Sequence, residues 1–361
     1  MILFNDVAAQ WEEIESTALP EIKEFLKTGP YIGGKEVERF EDDFKKYCGA
    51  QYAVGVSNGT DALKLAIQVL KDKKSLIFIQ ANAHISNALA PAHLDFLPRL
   101  RLIDCDENYN IDIDLLEKSI PINTNVIPLI IVTHSYGLPV NIPQIKNTIP
   151  NSVIIEDCSH AHGAMINGKH VGTMGDIGIF SLYPTKNLGA MGDAGIIITN
   201  NEKYYHKLIG LRNYGSYDKT DYVEMGWNAR LDPLQALILR HKLPLLNKWN
   251  KKRRTIAEQY YEGLKYFEEI TLPSCSNNHV YHLYPIRTLR RDSLKVHLET
   301  NKIQTMIHYP IPINRTTFFN YLPQNSPNTE QYASELLSLP MHPYLTYEDV
   351  IAVIESIGNF F

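Results

Sequence analysis

The stretch Ser181-Leu-Tyr-Pro-Thr-Lys186-Asn-Leu-Gly189-Ala-Met-Gly192-Asp-Ala-Gly195 sets one lysine in a turn between the apolar runs 176–180 and 196–199. Pro184 stiffens the approach to Lys186, and the three glycines let the backbone fold tightly around it. An amine taken out of water gives up its proton more readily and then adds to a carbonyl as a Schiff base. Taken alone, the same lysine also fits a solvated turn, so the rest of the chain has to decide.

Two further places carry chemistry. Ser57-Asn-Gly-Thr-Asp61 lies between a short strand and an apolar helix. There the free N–H groups of the helix start, around Gly59 and Thr60, and the Thr60 hydroxyl suit a phosphate. Ser57, Asn58 or Thr60 could equally serve only as an N-cap. The strand Val153-Ile-Ile-Glu-Asp157 ends in a carboxylate and continues Cys158-Ser-His160-Ala-His162. An Asp at a buried strand end needs a cationic partner, and a protonated pyridine nitrogen would supply one. Asp157, His160 and His162 also have the types of metal ligands, but no further acid or thiol cluster accompanies them, and no metal is expected.

These residues need elements to hold them. Helical periodicity runs over 11–27 and again over 35–48, with a Gly-Pro-Tyr31-Ile-Gly-Gly turn between them. Strands are predicted at 52–56, 76–80, 99–103, 126–133 and 153–156, separated by helices, which calls for a mainly parallel sheet covered on both faces. Ligands of such sheets sit off the strand ends. Beyond the lysine turn the spacing predicts a helix over 202–212, a polar aromatic loop over 213–222 and a long helix over 233–246 capped by Asp232. A charged helix over 251–266, short strands at 282–287 and 305–308, and a last helix over 347–357 follow. The expected division is a large domain, 1–246, and a smaller α+β domain, 247–361.

Length and composition exclude several classes. The 361 residues are 44% hydrophobic and 21% charged with a net charge of −5, which offers no footprint for a nucleic acid. The start of the chain has no basic and apolar leader, and the longest apolar run is too short to span a bilayer. Cys48, Cys105, Cys158 and Cys275 form no C-x-x-C pair, which suits reduced thiols in the cytoplasm and neither a disulfide framework nor a zinc site.

Taken together, Tyr31-Ile-Gly-Gly34…Phe40-Glu41, Gly55-Val-Ser-Asn-Gly-Thr-Asp-Ala-Leu63, Glu156-Asp157-x-x-His160-Ala-His-Gly-Ala164, the lysine stretch and Gly226-x-Asn228-x-Arg230-Leu-Asp-x-Leu-Gln-Ala236 span most of the chain. In this combination the sequence resembles the sugar-nucleotide aminotransferases of the DegT/DnrJ/StrS group. The resemblance implies the aspartate aminotransferase fold, with a mostly parallel seven-stranded sheet, and dependence on pyridoxal 5'-phosphate (PLP). It implies that Lys186 carries PLP and moves the proton, that Asp157 keeps the pyridine nitrogen protonated, and that Gly59, Thr60 and Ser181 hold the phosphate. His160 would touch the PLP hydroxyl at a position often held by glutamine. His84 would stack on the ring where tyrosine or phenylalanine is commoner, which leaves ring tuning open. Asn228 would reach the phosphate of a neighbouring subunit, making a homodimer with shared sites. Tyr31, Tyr183, Tyr217, Arg230, His308 and Tyr309 stand as substrate-side positions. The amino donor by resemblance is L-glutamate. The opening Phe4-Asn-Asp6-Val-x-x-Gln10 and the stretch His308-Tyr-Pro-Ile-Pro312 look most like enzymes aminating C-3 of dTDP-3-keto-6-deoxyhexoses. C-4 enzymes and UDP-linked uronate enzymes are near alternatives, and relatives that lost the lysine act as dehydratases or regulators.

Overall fold

The structure, a computed structural model, describes every residue except 122–124, 219 and 323–324; position 219 of the predicted polar loop thus lies outside the described residues. Two helices, α1 (Val7–Thr28) and α2 (Lys35–Cys48), lead into β1 (Tyr52–Val56) and α3 (Gly59–Leu70). The chain then alternates through β2 (Ser75–Gln80), α4 (Ser86–Ala92), β3 (Leu100–Ile103), α5 (Ile113–Ser119), β4 (Ile127–Thr133), α6 (Ile142–Thr148) and β5 (Val153–Asp157). A small hairpin, β6 (Met165–Ile166) and β7 (Lys169–His170), precedes β8 (Ile177–Ser181) and β9 (Gly195–Thr199).

The seven-stranded sheet has the order β1-β9-β8-β5-β4-β2-β3. The pairs from β8 to β3 are parallel, while β9 runs against both its neighbours. The strands are near-continuous apolar runs because both faces are covered. Ile155 of β5 packs with α3 and α4, whereas its neighbour Ile154 packs with Leu116 of α5 and Ile145 of α6. On β9, Ile197 faces the first of these cores, and Ile196 and Ile198 face Phe40 and Phe44 of α2. The α/β architecture is the one the alternating pattern predicts, with β9 as the antiparallel exception that brings the chain back from the lysine turn.

After α7 (Glu202–Leu211) come α8 (Pro233–Lys242) and α9 (Leu246–Leu264). The single helix predicted over 233–246 is thus cut: Pro244 has no N–H to donate, and Leu243–Leu245 tightens into one 3-10 turn before α9 begins. Asp232 occupies the N-cap position of α8, but its side chain makes no capping bond. A second core forms from Ile256 and Tyr260 of α9 with β10 (Tyr284–Arg287), α10 (Arg291–Thr300), β11 (Leu336–Leu339) and α12 (Tyr347–Gly358). There α11 (Pro327–Glu335) precedes β11, which pairs with β10. The strand predicted at 305–308 is absent. Gln304 N donates to Ile2 O while Met306 bridges Ser338, so the segment changes partner within two residues and no ladder can run. Neither α10 nor α11 was anticipated. Among the described residues no helix is long and apolar enough to cross a membrane.

One carboxylate ties α1 to the later chain. Glu13 accepts from Lys248 Nζ at 2.6 Å, Trp249 Nε1 at 2.9 Å and Tyr344 OH at 2.5 Å. Burial pushes this carboxyl up, but the hydrogen bonds from Lys248, Tyr344 and Trp249 outweigh it and hold the pKa at about 2. Glu13→Gln should therefore cost about 1–2 kcal/mol at neutral pH. A depressed folded-state pKa means that the stabilisation is complete above the unfolded value of 4.5 and is lost as the pH falls toward 2. The gap in thermal midpoint between wild type and Glu13→Gln should accordingly narrow below pH 4.5. A gap that stays constant on acidification would show that the charge contributes nothing.

Candidate active site

Because six of the seven strands point the same way, β1, β5 and β8 bring Val56, Asp157 and Ser181 to one edge of the sheet. Asp157 is 3% exposed. Its Oδ2 accepts from Asn87 Nδ2 at 2.9 Å and its Oδ1 from Ser159 N at 3.0 Å. Ser159 Oγ in turn accepts from Ser181 N at 3.1 Å, which ties the end of β8 to the end of β5. At the end of β1, Asn58 is the N-cap of α3 and accepts from Asp61 N, as the capping alternative anticipates. The N–H groups of Gly59 and Thr60 have no partner among the described residues, so the helix start remains open to an anion. Gly59 is needed here because a Cβ on it would lie 2.7 Å from Ser181 Cβ; only glycine lets α3 begin against β8.

The turn between β8 and β9 is gripped from several sides. Lys186 N donates to Tyr183 O at 2.9 Å, and the backbone doubles back so closely that a Cβ on Gly189 would sit 2.3 Å from Pro184 O. Asn5 Nδ2 donates to Thr185 O at 3.1 Å. The buried Lys242 Nζ donates to Gly189 O at 2.8 Å and to Gln10 Oε1 at 3.1 Å. The Lys186 amine itself makes no hydrogen bond or salt bridge among the described residues. Burial lowers its pKa to about 8, with the nearby Asp157 charge pulling the other way. Around it stand imidazoles, each disfavoured as a cation first by burial and then by the lysine charge: His84, His160 and His308, the last pushed down to about 4. His84 lies edge-on to Tyr309 at 5.5 Å between ring centroids, and Tyr136 OH donates to His308 O at 2.6 Å.

The sequence-predicted residues thus fall into two groups. His84, Asp157, His160, Ser181, Lys186, His308 and Tyr309 gather at the sheet edge with Gly59 and Thr60, while Tyr183 lies exposed on the same turn. Tyr217 and Arg230 instead line a separate cavity of about 180 Å³ with Gly33 and Gly34. Arg230 Nη1 donates to Asn213 Oδ1 at 3.2 Å, and its buried Nε has no hydrogen-bond partner among the described residues. Asn228 is exposed; Ala229 O beside it accepts from Ser57 N at 3.2 Å. Tyr31 is exposed and donates to Leu26 O at 2.8 Å, apart from the lysine group. Asn87, Ser159, Asn187 and His282 escaped the sequence reading. No spacing marks them, because Asn87 sits inside a short helix and His282 lies nearly a hundred positions from the lysine.

A metal is not what this edge suits. His134, Glu156 and Cys158 lie within ligand distance of one another. However, His134 Nδ1 accepts from Val140 N at 2.9 Å, so its Nε2 carries the hydrogen that meets Glu156 Oε2 at 3.1 Å. The Glu156 oxygens also accept from Gly172 N, Met174 N and Gly175 N. These lone pairs are engaged, and the trio is a structural hydrogen-bond cluster. By contrast, an unpartnered amine, a buried carboxylate and two free N–H groups at a helix start fit PLP, which presents an aldehyde, a pyridine nitrogen and a phosphate.

A model of the DegT/DnrJ/EryC1/StrS aminotransferase family matches residues 12–358. The chain is 41% identical over 345 residues, 93% of each chain, to the dTDP-3-amino-3,6-dideoxy-alpha-D-galactopyranose transaminase of Aneurinibacillus thermoaerophilus. It is 34% identical over 365 residues to the dTDP-3-amino-3,4,6-trideoxy-alpha-D-glucose transaminase of Streptomyces venezuelae, covering 99% of this chain and 95% of that one. Among solved structures, S. venezuelae DesV in complex with a ketimine intermediate superposes with a TM-score of 0.93 at 33% identity, covering 99% and 98% of the two chains.

The lowered lysine pKa has a direct readout. In the cofactor-free protein, modification of Lys186 by an amine-reactive reagent, followed on its peptide by mass spectrometry, should rise through a midpoint near pH 8 rather than near the ordinary 10.5. A midpoint shared with the surface lysines would show that the amine is solvated.

Proposed function

This chain belongs to the DegT/DnrJ/EryC1/StrS aminotransferase family and is a PLP-dependent aminotransferase, and on that premise we propose that it moves the amino group of L-glutamate to C-3 of a dTDP-linked 3-keto-6-deoxyhexose. The observation that carries the substrate reading is the 41% identity, over nearly the whole of both chains, with a transaminase named for a dTDP-3-amino-3,6-dideoxyhexose.

PLP, when bound, supplies an electron sink for a C–H bond broken beside its nitrogen. The protein's part is to bind, orient and move protons. The N–H groups of Gly59 and Thr60, with the Thr60 and Ser181 hydroxyls, would take the phosphate at the positive end of α3. Asp157, held by Asn87 and Ser159, would keep a proton on the pyridine nitrogen. His84 would stack on the ring, and His160, whose Nδ1 accepts from Tyr136 N at 3.4 Å, would offer its Nε2–H to the phenolic oxygen. The Lys186 amine would be the group that carries the cofactor and, when free, the base that holds and moves a proton at its Nζ. Tyr183, His308 and Tyr309 line the sugar's place above this group, while Tyr31, Tyr217 and Arg230 serve the outer part of the nucleotide sugar.

The working unit in this reading is a cytoplasmic homodimer, with the large domain at 1–246 and the small one at 247–361. Tyr31, Ile32, Tyr217, Tyr222, Val223 and Met225 expose an apolar surface around the turn and loop that flank Asn228 and Arg230. A cavity of about 580 Å³ lined by Phe25, Pro30, Pro233 and Leu237 adjoins it, and a second copy would cover both.

Two experiments test this. Products formed by the purified, PLP-loaded protein from glutamate and a panel of keto-sugar nucleotides should show the 3-keto dTDP substrate preferred, and Lys186→Ala should lower turnover by about three orders of magnitude or more. Turnover of only a 4-keto sugar or a UDP-uronate would refute the substrate. For the shared site, Lys186→Ala and Asn228→Asp should each be severely impaired alone. Unfolded and reassociated in equal amounts, about half the dimers are mixed and about a quarter of all sites regain function. A mixture no more active than the average of its parents would mean that Asn228 serves its own chain.

A further inference from the structure

Asn187, the residue after Lys186, is 1% exposed and lies in a hydrogen-bond network whose direction two backbone carbonyls settle. A carbonyl oxygen only accepts. Asn250 Nδ2 donates to His162 O at 2.8 Å, so Asn250 Oδ1 is the atom that faces Asn187. Asn187 Nδ2 donates to that oxygen at 2.9 Å and to Val280 O at 3.0 Å, which engages both of its hydrogens and leaves Oδ1 as an acceptor. His282 Nδ1 lies 3.2 Å from this Oδ1 and must therefore carry the ring's hydrogen.

His282 is 6% exposed and has one tautomer to adopt. Burial, and after it Lys186, His160, Arg253 and His308, push its pKa well below the ordinary histidine value, so the ring is neutral. These facing groups include no carboxylate, and Arg253 Nη1 donates to the His282 carbonyl at 3.4 Å. The ring packs against His160 with centroids 4.6 Å apart and planes tilted by 38°. His160 holds the opposite tautomer, because its Nδ1 accepts from Tyr136 N.

We propose that His282 is a positioning residue for the transamination. Its Nδ1–H holds the Asn187 amide, and with it the backbone beside Lys186, in the orientation from which the amine reaches the cofactor's carbonyl. His282 acts through Asn187 and is not itself a catalytic residue. The inference rests on Lys186 being the attachment point of PLP, a step in which the amine nitrogen replaces the aldehyde oxygen and that oxygen leaves as water.

Two variants divide the roles. His282→Phe keeps a ring against His160 and loses the donor, whereas His282→Asn places an amide N–H near the Nδ1 position and loses the ring. The readouts are the rate at which PLP added to cofactor-free protein becomes attached to Lys186, trapped with borohydride and read on the peptide by mass spectrometry, together with kcat, KM and the thermal midpoint. His282→Phe should slow attachment and kcat by about 10-fold or more, with KM for the sugar nucleotide changed by less than about 2-fold; His282→Asn should recover both rates to within about 3-fold of wild type. Wild-type attachment rates in His282→Phe would overturn the proposal. Equal slowing in both variants, in step with lost thermal midpoint, would also overturn it and leave a purely structural role. Should His282→Phe fail to fold, His282→Gln, whose amide reaches past the Nδ1 position, takes its place with the same expectation. Attachment in wild type at a lysine other than Lys186 would sink the underlying reading and this inference together. Attachment at Lys186 with an indifferent His282→Phe would sink this inference alone.

Discussion

The structure depends on one half-buried lysine amine that has no counter-ion in contact among the described residues. Lys186 stands at the carboxyl edge of a parallel sheet, where strand ends leave backbone and side-chain groups free to converge. Its desolvation is tolerated because the charge can be given up: an amine whose pKa is lowered to about 8 is partly neutral at working pH, which a nucleophile requires. The backbone that carries it cannot relax into solvent. Asn5, near the start of the chain, and Lys242, at the end of α8, bond the carbonyls of Thr185 and Gly189 on either side of it.

The histidines follow from the same constraint. A cationic imidazole beside a lysine would cost Coulomb energy as well as desolvation, so His84, His160, His282 and His308 are all driven toward the neutral ring. Neutral rings offer one donor and one acceptor each, and a partner that can only donate or only accept then decides which nitrogen holds the hydrogen. Asp157 is the opposite case. It stays at the strand end, accepting hydrogen bonds from Asn87 and Ser159, with no basic residue in salt-bridge contact among the described residues.

The later part of the chain contributes to this edge more than its separate core suggests. Leu246 at the start of α9 packs in the core under the sheet, and Ile256 further along packs with β10 and β11. Asn250, between them, meets Asn187. One helix therefore joins the second core to the residue beside the lysine. Buried Arg253, one turn on, donates to the carbonyls of Tyr281, His282 and Met341 and fixes the loop that supplies His282.

The sequence by itself determined the alternating architecture, since apolar runs punctuated by helices can only be buried as a parallel sheet covered on both faces. It also singled out Asp157, Lys186 and the Ser57–Asp61 turn, because each combines local spacing with an unusual residue type at a strand end. It could not place what acts across the chain. The antiparallel course of β9, the break at Pro244 and the absent strand at 305–308 depend on which neighbour a segment meets, and periodicity carries no information about that. Asn87 against Asp157, Asn5 against Thr185, and His282 against Asn187 and His160 were likewise decided by tertiary structure. A hydrogen bond between residues tens to hundreds of positions apart leaves no local pattern, and only the folded sheet edge brings those atoms within reach.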